Sequence, residues 1–383
     1  MLIAVALKGL MSSAPETGCA DTVGVWLLGP GRQRRVVTAL MLSLASVTCC
    51  RRSENDSRHV APRGTADASP SGALTAARKA LPSIDVTRIA HIIASDLDSP
   101  EHLAEDEQFV YWCSGGKTSD SLVKIMQLPK VGGMPKVVYH STLPVIRLHS
   151  ATSALFLVAQ DSDLTLLNLP IGSDQARRLI HFQPSALDRF AFLGDTVFWS
   201  EDDQIVSFNA SSRQRRVAAR NLSGPDIIGG GAKAIRVATE GLYWATEDSI
   251  VAQSLANGDR HIIWSIPANE DVRAMTADET DVYAMTEGGN IWKISLGAPG
   301  HVQLLSTVPI GGRYLVDRGS SLYFSTTVGS LTTTVVRVEK ESGRSRIVHG
   351  DAQDNISFVV DDENIYLGLS RRGTVLKVPL TSL

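Results

Sequence analysis

The sequence predicts an all-β repeat fold on three observations: a recurring aromatic segment, its near-constant spacing, and short alternating apolar runs between the copies. The aromatic segments are Val110-Tyr111-Trp112, Leu155-Phe156-Leu157, Val197-Phe198-Trp199, Leu242-Tyr243-Trp244, Val282-Tyr283-Ala284, Leu322-Tyr323-Phe324 and Ile365-Tyr366-Leu367. Their central residues step by 45, 42, 45, 40, 40 and 43 positions. A period of roughly 40 to 45 residues, divided into several short strands, is that of one propeller blade. Seven such periods predict a seven-bladed β-propeller of four-stranded blades.

Within each repeat the elements follow in order. A first strand precedes an acidic or polar turn, as in Val145–Leu148, Arg189–Leu193, Ile235–Ala238 and Ile356–Val360. The turns carry Gly194-Asp195, Glu240-Gly241, Asp278 to Asp281 and Asp361 to Asn364. Asp, Asn and Gly suit them because they tolerate positive φ or bond their own backbone. The aromatic strand is second. The third alternates with period two, as in Ile205-Val206-Ser207-Phe208 and Ile291-Trp292-Lys293-Ile294, the signature of a half-buried strand. The fourth is basic and then aliphatic, as in Arg177-Arg178-Leu179-Ile180 and Arg346-Ile347-Val348-His349; basic residues discourage an outer edge from pairing with other chains. The seventh repeat runs out after its third strand, and Arg88-Ile89-Ala90-His91 resembles Arg346–His349. Residues 86–94 are therefore expected to complete the last blade, and the propeller to span 85–383.

The chain has 383 residues, 43% hydrophobic and 20% charged, with net charge −3. Acids and bases are interspersed, and no basic stripe of the kind a phosphate backbone requires is present, so nucleic acid is not an expected partner. Residues 1–50 read as an N-terminal extension with an export signal. Arg32-Gln33-Arg34-Arg35 precedes the apolar run Val36 to Val47, followed by Thr48-Cys49-Cys50. The run is shorter than the roughly 20 residues of a membrane-spanning helix. Cys49 and Cys50 are candidates for lipidation; the alternative is secretion with cleavage nearby. Residues 51–84, with Pro62, Gly64, Pro70, Gly72 and Pro82, read as a flexible linker. The Asn-x-Ser sites at Asn55, Asn209, Asn221 and Asn355 are taken as chance beside a signal of bacterial type.

Val110-Tyr111-Trp112 and Gly241-Leu242-Tyr243-Trp244-Ala245-Thr246-Glu247 resemble the Tyr-Trp-Thr-Asp repeats of low-density-lipoprotein-receptor-type propellers, and Ile250, Leu255 and Gly258 extend the match. No blade carries the full Tyr-Trp-Thr-Asp sequence, and the receptor propellers have six blades. The resemblance implies the fold, and it also extends to exported bacterial propeller lipoproteins of unassigned function.

Motifs for chemistry are sparse. Gly115-Gly116-Lys117-Thr118 has Tyr111 where a phosphate loop needs Gly, and reads as an inter-strand loop. Asp161-Ser162-Asp163 lacks the later Gly and Glu of a calcium loop and reads as a turn. His149 and Ser150 are adjacent and so face opposite sides of a strand. Cys113, directly after an aromatic strand, is expected to be buried. No catalytic residue, metal ligand or cofactor site is assigned.

The site candidates are Arg147, Arg189, Arg236, Arg273 and Arg313, each on or near a first strand, the strand that lines a propeller's channel. Such a ring suits an anion or an acidic peptide. The alternative is that these side chains pair with nearby acids. The expectation is an extracytoplasmic, monomeric binding or scaffolding module of the cell envelope, periplasmic, outer-membrane or secreted. It would take a protein or anionic ligand on one face and touch the membrane only through its signal or a lipid anchor. A channel-centred lyase or hydrolase is the alternative.

Overall fold

The computed structural model describes residues 89–115, 122–160, 163–182, 190–220, 222, 232–298, 300–308, 312–328, 331–351 and 353–383; for 313, 327, 328 and 331–333 it describes backbone alone. The export-type segment, Cys49, Cys50 and the linker lie outside these residues.

Twenty-eight strands form seven four-stranded antiparallel sheets among the described residues. β1 (His91–Ala94) is the first strand among the described residues. Blade 1 comprises β2 (Glu101–Glu105), β3 (Phe109–Ser114), β4 (Val123–Pro129) and β5 (Lys136–Ser141). Blade 2 has β6 (Val145–Ser150), β7 (Ala154–Gln160), β8 (Leu164–Pro170) and β9 (Arg177–Phe182). Blade 3 has β10 (Phe190–Leu193), β11 (Thr196–Glu201), β12 (Gln204–Asn209) and β13 (Gln214–Arg220). Blade 4 has β14 (Ala234–Val237), β15 (Gly241–Ala245), β16 (Ser249–Ser254) and β17 (Arg260–Ser265). Blade 5 has β18 (Val272–Ala277), β19 (Asp281–Thr286), β20 (Asn290–Ser295) and β21 (Val302–Thr307). Blade 6 has β22 (Gly312–Arg318), β23 (Ser321–Val328), β24 (Leu331–Glu339) and β25 (Ser345–Gly350). Blade 7 has β26 (Ile356–Val360), β27 (Asn364–Leu369) and β28 (Thr374–Pro379), and its fourth strand is β1, in the order β1-β28-β27-β26. His91 lies opposite Lys377 and Ile92 opposite Leu376.

Among the described residues the core is divided into seven clusters, one between each pair of neighbouring blades. Alternation along the aromatic strand produces the division, because successive side chains point to opposite faces. Tyr111 and Cys113 pack with Leu155 and Leu157 of blade 2, whereas Val110 and Trp112 pack with Tyr366 and Val375 of blade 7. Trp112, Trp199 and Trp244 are fully buried in this way. The recurrent aromatics are thus inter-blade packing, and Cys113 is buried with its thiol pKa pushed up, by burial first and then by Glu101.

A turn device recurs where the sequence reads Asp-x-x-x-x-Tyr. Asp106 Oδ1 accepts from the amides of Gln108 and Phe109 at 2.8 and 2.7 Å, and Oδ2 from the Tyr111 hydroxyl at 2.7 Å. Asp278 and Tyr283 repeat it, as do Asp361 and Tyr366. Two of these aspartates also receive a lysine from the next blade. Lys130 bridges Asp361 (2.8 Å) and Glu105 (2.7 Å), and Lys340 bridges Asp278 (2.7 Å) and Asp317 (2.6 Å). These ion pairs tie blade 7 to blade 1 and blade 5 to blade 6.

Candidate functional site

The first strand of each blade faces the channel, and its register decides which side chains enter. The pairing of β6 breaks between Val145 and Arg147, that of β18 between Val272 and Ala274, and that of β22 between Arg313 and Val316. Each break lies at or beside a predicted arginine, and a bulge re-aims side chains in this way. β14 has an unbroken register, with Arg236 opposite Tyr243.

One cleft is lined by Arg147, Phe190, Lys233, Arg236, Arg273 and Tyr314, floored by Ala234, Ile235, Ala274, Met275 and Leu315. Five consecutive blades, 2 to 6, contribute to it. The Arg147 guanidinium stands 5.3 Å from the centroid of the Tyr314 ring. Tyr314 is 45% exposed and sits at φ 55°, an uncommon conformation for a bulky residue.

The three described arginine side chains differ. Arg273 reaches Asp271 at 3.1 Å and Glu287 at 2.9 Å, and Lys233 reaches Asp271 at 2.9 Å. That group of four is balanced in charge. Arg147 and Arg236 make no ion pair among the described residues. Burial, followed by the charge of Arg147, lowers the Arg236 pKa, while Asp317 opposes the shift. Asp317 is itself paired with Lys340. The buried Nε of Arg236 has no hydrogen-bond acceptor among the described residues. His149 stacks on Phe192 with centroids 4.2 Å apart, and burial, then Arg147 and Arg236, hold its pKa down at about 3. His102 on β2 is also lowered, by burial first and then by Arg147, against Glu101.

The structure therefore brings together three of the five predicted arginines. Arg189 and the side chain of Arg313 lie outside the described residues, as does most of the Gly115–Thr118 loop. Sequence reasoning missed Tyr314, Lys233, Phe190 and His102, and it treated His149 only as a neighbour of Ser150. Tyr314 directly follows a candidate arginine, but period-two alternation places such a neighbour on the far face; the bulge overrides that expectation. Glu101-His102-Leu103-Ala104-Glu105 carries no apolar alternation, so β2 had no strand signal.

No protein-family model matches the sequence, and no curated protein matches it. Solved structures match in shape. YCF48, in a structure bound to D1 peptide, aligns with a TM-score of 0.54 at 10% identity over 78% of this chain and 99% of its own. The extracellular domain of a putative one-component system from B. thetaiotaomicron aligns at 0.53 and 14% over 76% of this chain and 40% of its own. PorZ, a surface component of the type-IX secretion system of Porphyromonas gingivalis, aligns at 0.52 and 12% over 76% and 39%. They share the fold. The chain spans about two fifths of the length of the latter two.

Proposed function

We propose that the protein is a non-enzymatic binding module whose channel mouth takes an anionic group of a protein or smaller partner. One observation carries this reading: Arg147 and Arg236 converge from blades 2 and 4 without a carboxylate of their own among the described residues, while Arg273 beside them is neutralised. A cation withdrawn from water, as Arg236 is, is ordinarily paired, and with the partly buried Arg147 beside it the two form a site that an anion completes. The fold supports the reading because propeller faces display loops from every blade on a rigid ring.

The same reading places the protein outside the cytoplasm, exported by the Arg32–Val47 segment and either released or lipid-anchored at Cys49 or Cys50. The Tyr-Trp-Thr-Asp likeness of Gly241–Glu247 is in keeping with that location. The test is a crosslinked pull-down of the full-length protein from its envelope fraction. The expected result is a partner recovered reproducibly with the native chain and lost with a folded Arg147→Ala, Arg236→Ala variant. Equal recovery by both chains would move binding away from the channel, and an empty pull-down would end the case for a stable protein partner.

A further inference from the structure

Resting on the channel reading, we infer that the group bound between Arg147 and Arg236 is a carboxylate carried on an apolar or aromatic body. Three features of the cleft restrict the ligand to that class.

The first is the fork. A guanidinium presents paired N–H donors that match the two oxygens of a carboxylate or oxyanion, and such bonds are about twice as strong as neutral ones. Arg236 lines the cleft, and its buried Nε has no acceptor among the described residues, so its guanidinium enters the site with a donor that is costly to leave open. The second is the charge balance. Lys233 and Arg273 are offset by Asp271 and Glu287. Arg147 and Arg236 carry two positive charges with no ion pair among the described residues, and Asp317, the carboxylate that acts on Arg236, is held by Lys340. A compact monoanion suits the space between them, whereas a polyanion extends toward Asp271 and Glu287. The third is the surroundings of the fork. Tyr314 offers an exposed ring beside Arg147, and Ala274, Met275 and Leu315 line the same cleft. A hydrated inorganic ion gains nothing from these, while a flat apolar body stacks on the ring and covers the floor.

Two sources carry this chemistry, a free aromatic or aliphatic acid and the C-terminal carboxylate of a peptide. The experiment is a calorimetric titration of the full chain with benzoate, acetate, inorganic phosphate, tripolyphosphate and an amidated and a free-acid form of one short peptide ending in Phe. The expected order has benzoate above acetate and phosphate, with tripolyphosphate no tighter than phosphate. Tighter binding of the free-acid than of the amidated peptide, exceeding benzoate, assigns the peptide source; benzoate alone assigns the small acid. Arg147→Gln is expected to weaken benzoate about tenfold or more, the scale of a lost charge-assisted pair. Arg236→Lys keeps the buried charge but removes the fork, and is expected to weaken it similarly. Circular-dichroism melts of each variant separate lost binding from lost fold. Phosphate or tripolyphosphate binding tighter than benzoate, with loss in Arg147→Gln, would overturn the carboxylate assignment and leave the channel reading standing. No binding of any probe would overturn the assignment too, while a partner captured in the pull-down would still be free to use another face.

Discussion

Arg147 on the inner strand of blade 2 stacks 5.3 Å from the ring centroid of Tyr314 on the inner strand of blade 6. The two blades are three places apart in a ring of seven, so the contact spans the channel. An exposed cation–π pair contributes about 0.5–1 kcal/mol. Tyr314→Ala is therefore expected to cost no more than about 1 kcal/mol in urea unfolding. A loss several times larger would mean that the stack holds the ring together and is not a surface feature of the channel.

Lys340 stands between two carboxylates. Burial pulls Asp278 up, but the hydrogen bond from Lys340 and the amides of Thr280 and Asp281 hold it at about 2, against an ordinary 3.8. The stabilisation this gives is fully present above pH 3.8 and disappears as pH falls through about 2. Removing the lysine leaves Asp278 facing Asp317 without a counter-charge. Lys340→Met is expected to destabilise by on the order of 2–3 kcal/mol at neutral pH. It is also expected to raise the pH at which acid unfolding begins, because Asp278 then protonates earlier. Asp317→Asn in the same chain should recover part of the loss, measured by chemical denaturation as a double-mutant cycle.

His149 titrates at about 3 in the fold and at about 6.5 when unfolded. Between those values the unfolded chain binds a proton that the native chain refuses, so this residue makes stability rise with pH from about 3 to 6.5 and adds nothing further above. His149→Phe preserves a ring against Phe192 and removes the proton site. The difference between the stability–pH curves of the two proteins is expected to be confined to that window. Identical slopes there would show that His149 is solvated.

Gly373 has φ +60° in the loop between β27 and β28, and its carbonyl accepts from the amide of Leu97 at 2.9 Å. An added Cβ would run into the Leu97 carbonyl. Gly373→Ala thus combines a left-handed backbone with a close approach, and is expected to cost about 1–3 kcal/mol. Gly172 has φ +83° with open space around its Cβ position, so Gly172→Ala is expected to cost about 1 kcal/mol, from backbone strain alone. Thermal unfolding of the pair distinguishes the two causes.

Cys113 is buried and its thiol pKa is raised, so a thiol reagent is expected to spare it in the native protein and to label it once the chain unfolds. Quantified by intact-mass spectrometry, modification at Cys113 under native conditions would place the β3 strand end in exchange with solvent.

The repeat was legible because its signals are local. The aromatic strand, the acidic or polar turn before it and the alternating third strand are each set by a few adjacent residues, and the inter-blade core follows from period two. The channel was legible only in part. Arg147, Arg236 and Arg273 could be placed on first strands, but whether each meets a carboxylate depends on residues far away in sequence. Asp317, which acts on Arg236, is taken up by Lys340 of its own blade, and Tyr314, which meets Arg147, is carried by a bulge. Bulges leave no period-two trace, and for that reason β2 and the stacked tyrosine escaped notice.

The pairing of His91 with Lys377 joins positions 286 apart (377 − 91). For a flexible chain, closing a loop of that length costs about 5 kcal/mol, from (3/2)RT ln n. A contact so remote in sequence cannot lead the folding process, since local pairings form orders of magnitude sooner. Blades that have already stacked alter the problem, because each added inter-blade core fixes the angle to the next until the first and last stand side by side. The final strand then adds to an edge already positioned for it, and a chain halted just before that step would present an open β28, the state most prone to pairing with another molecule.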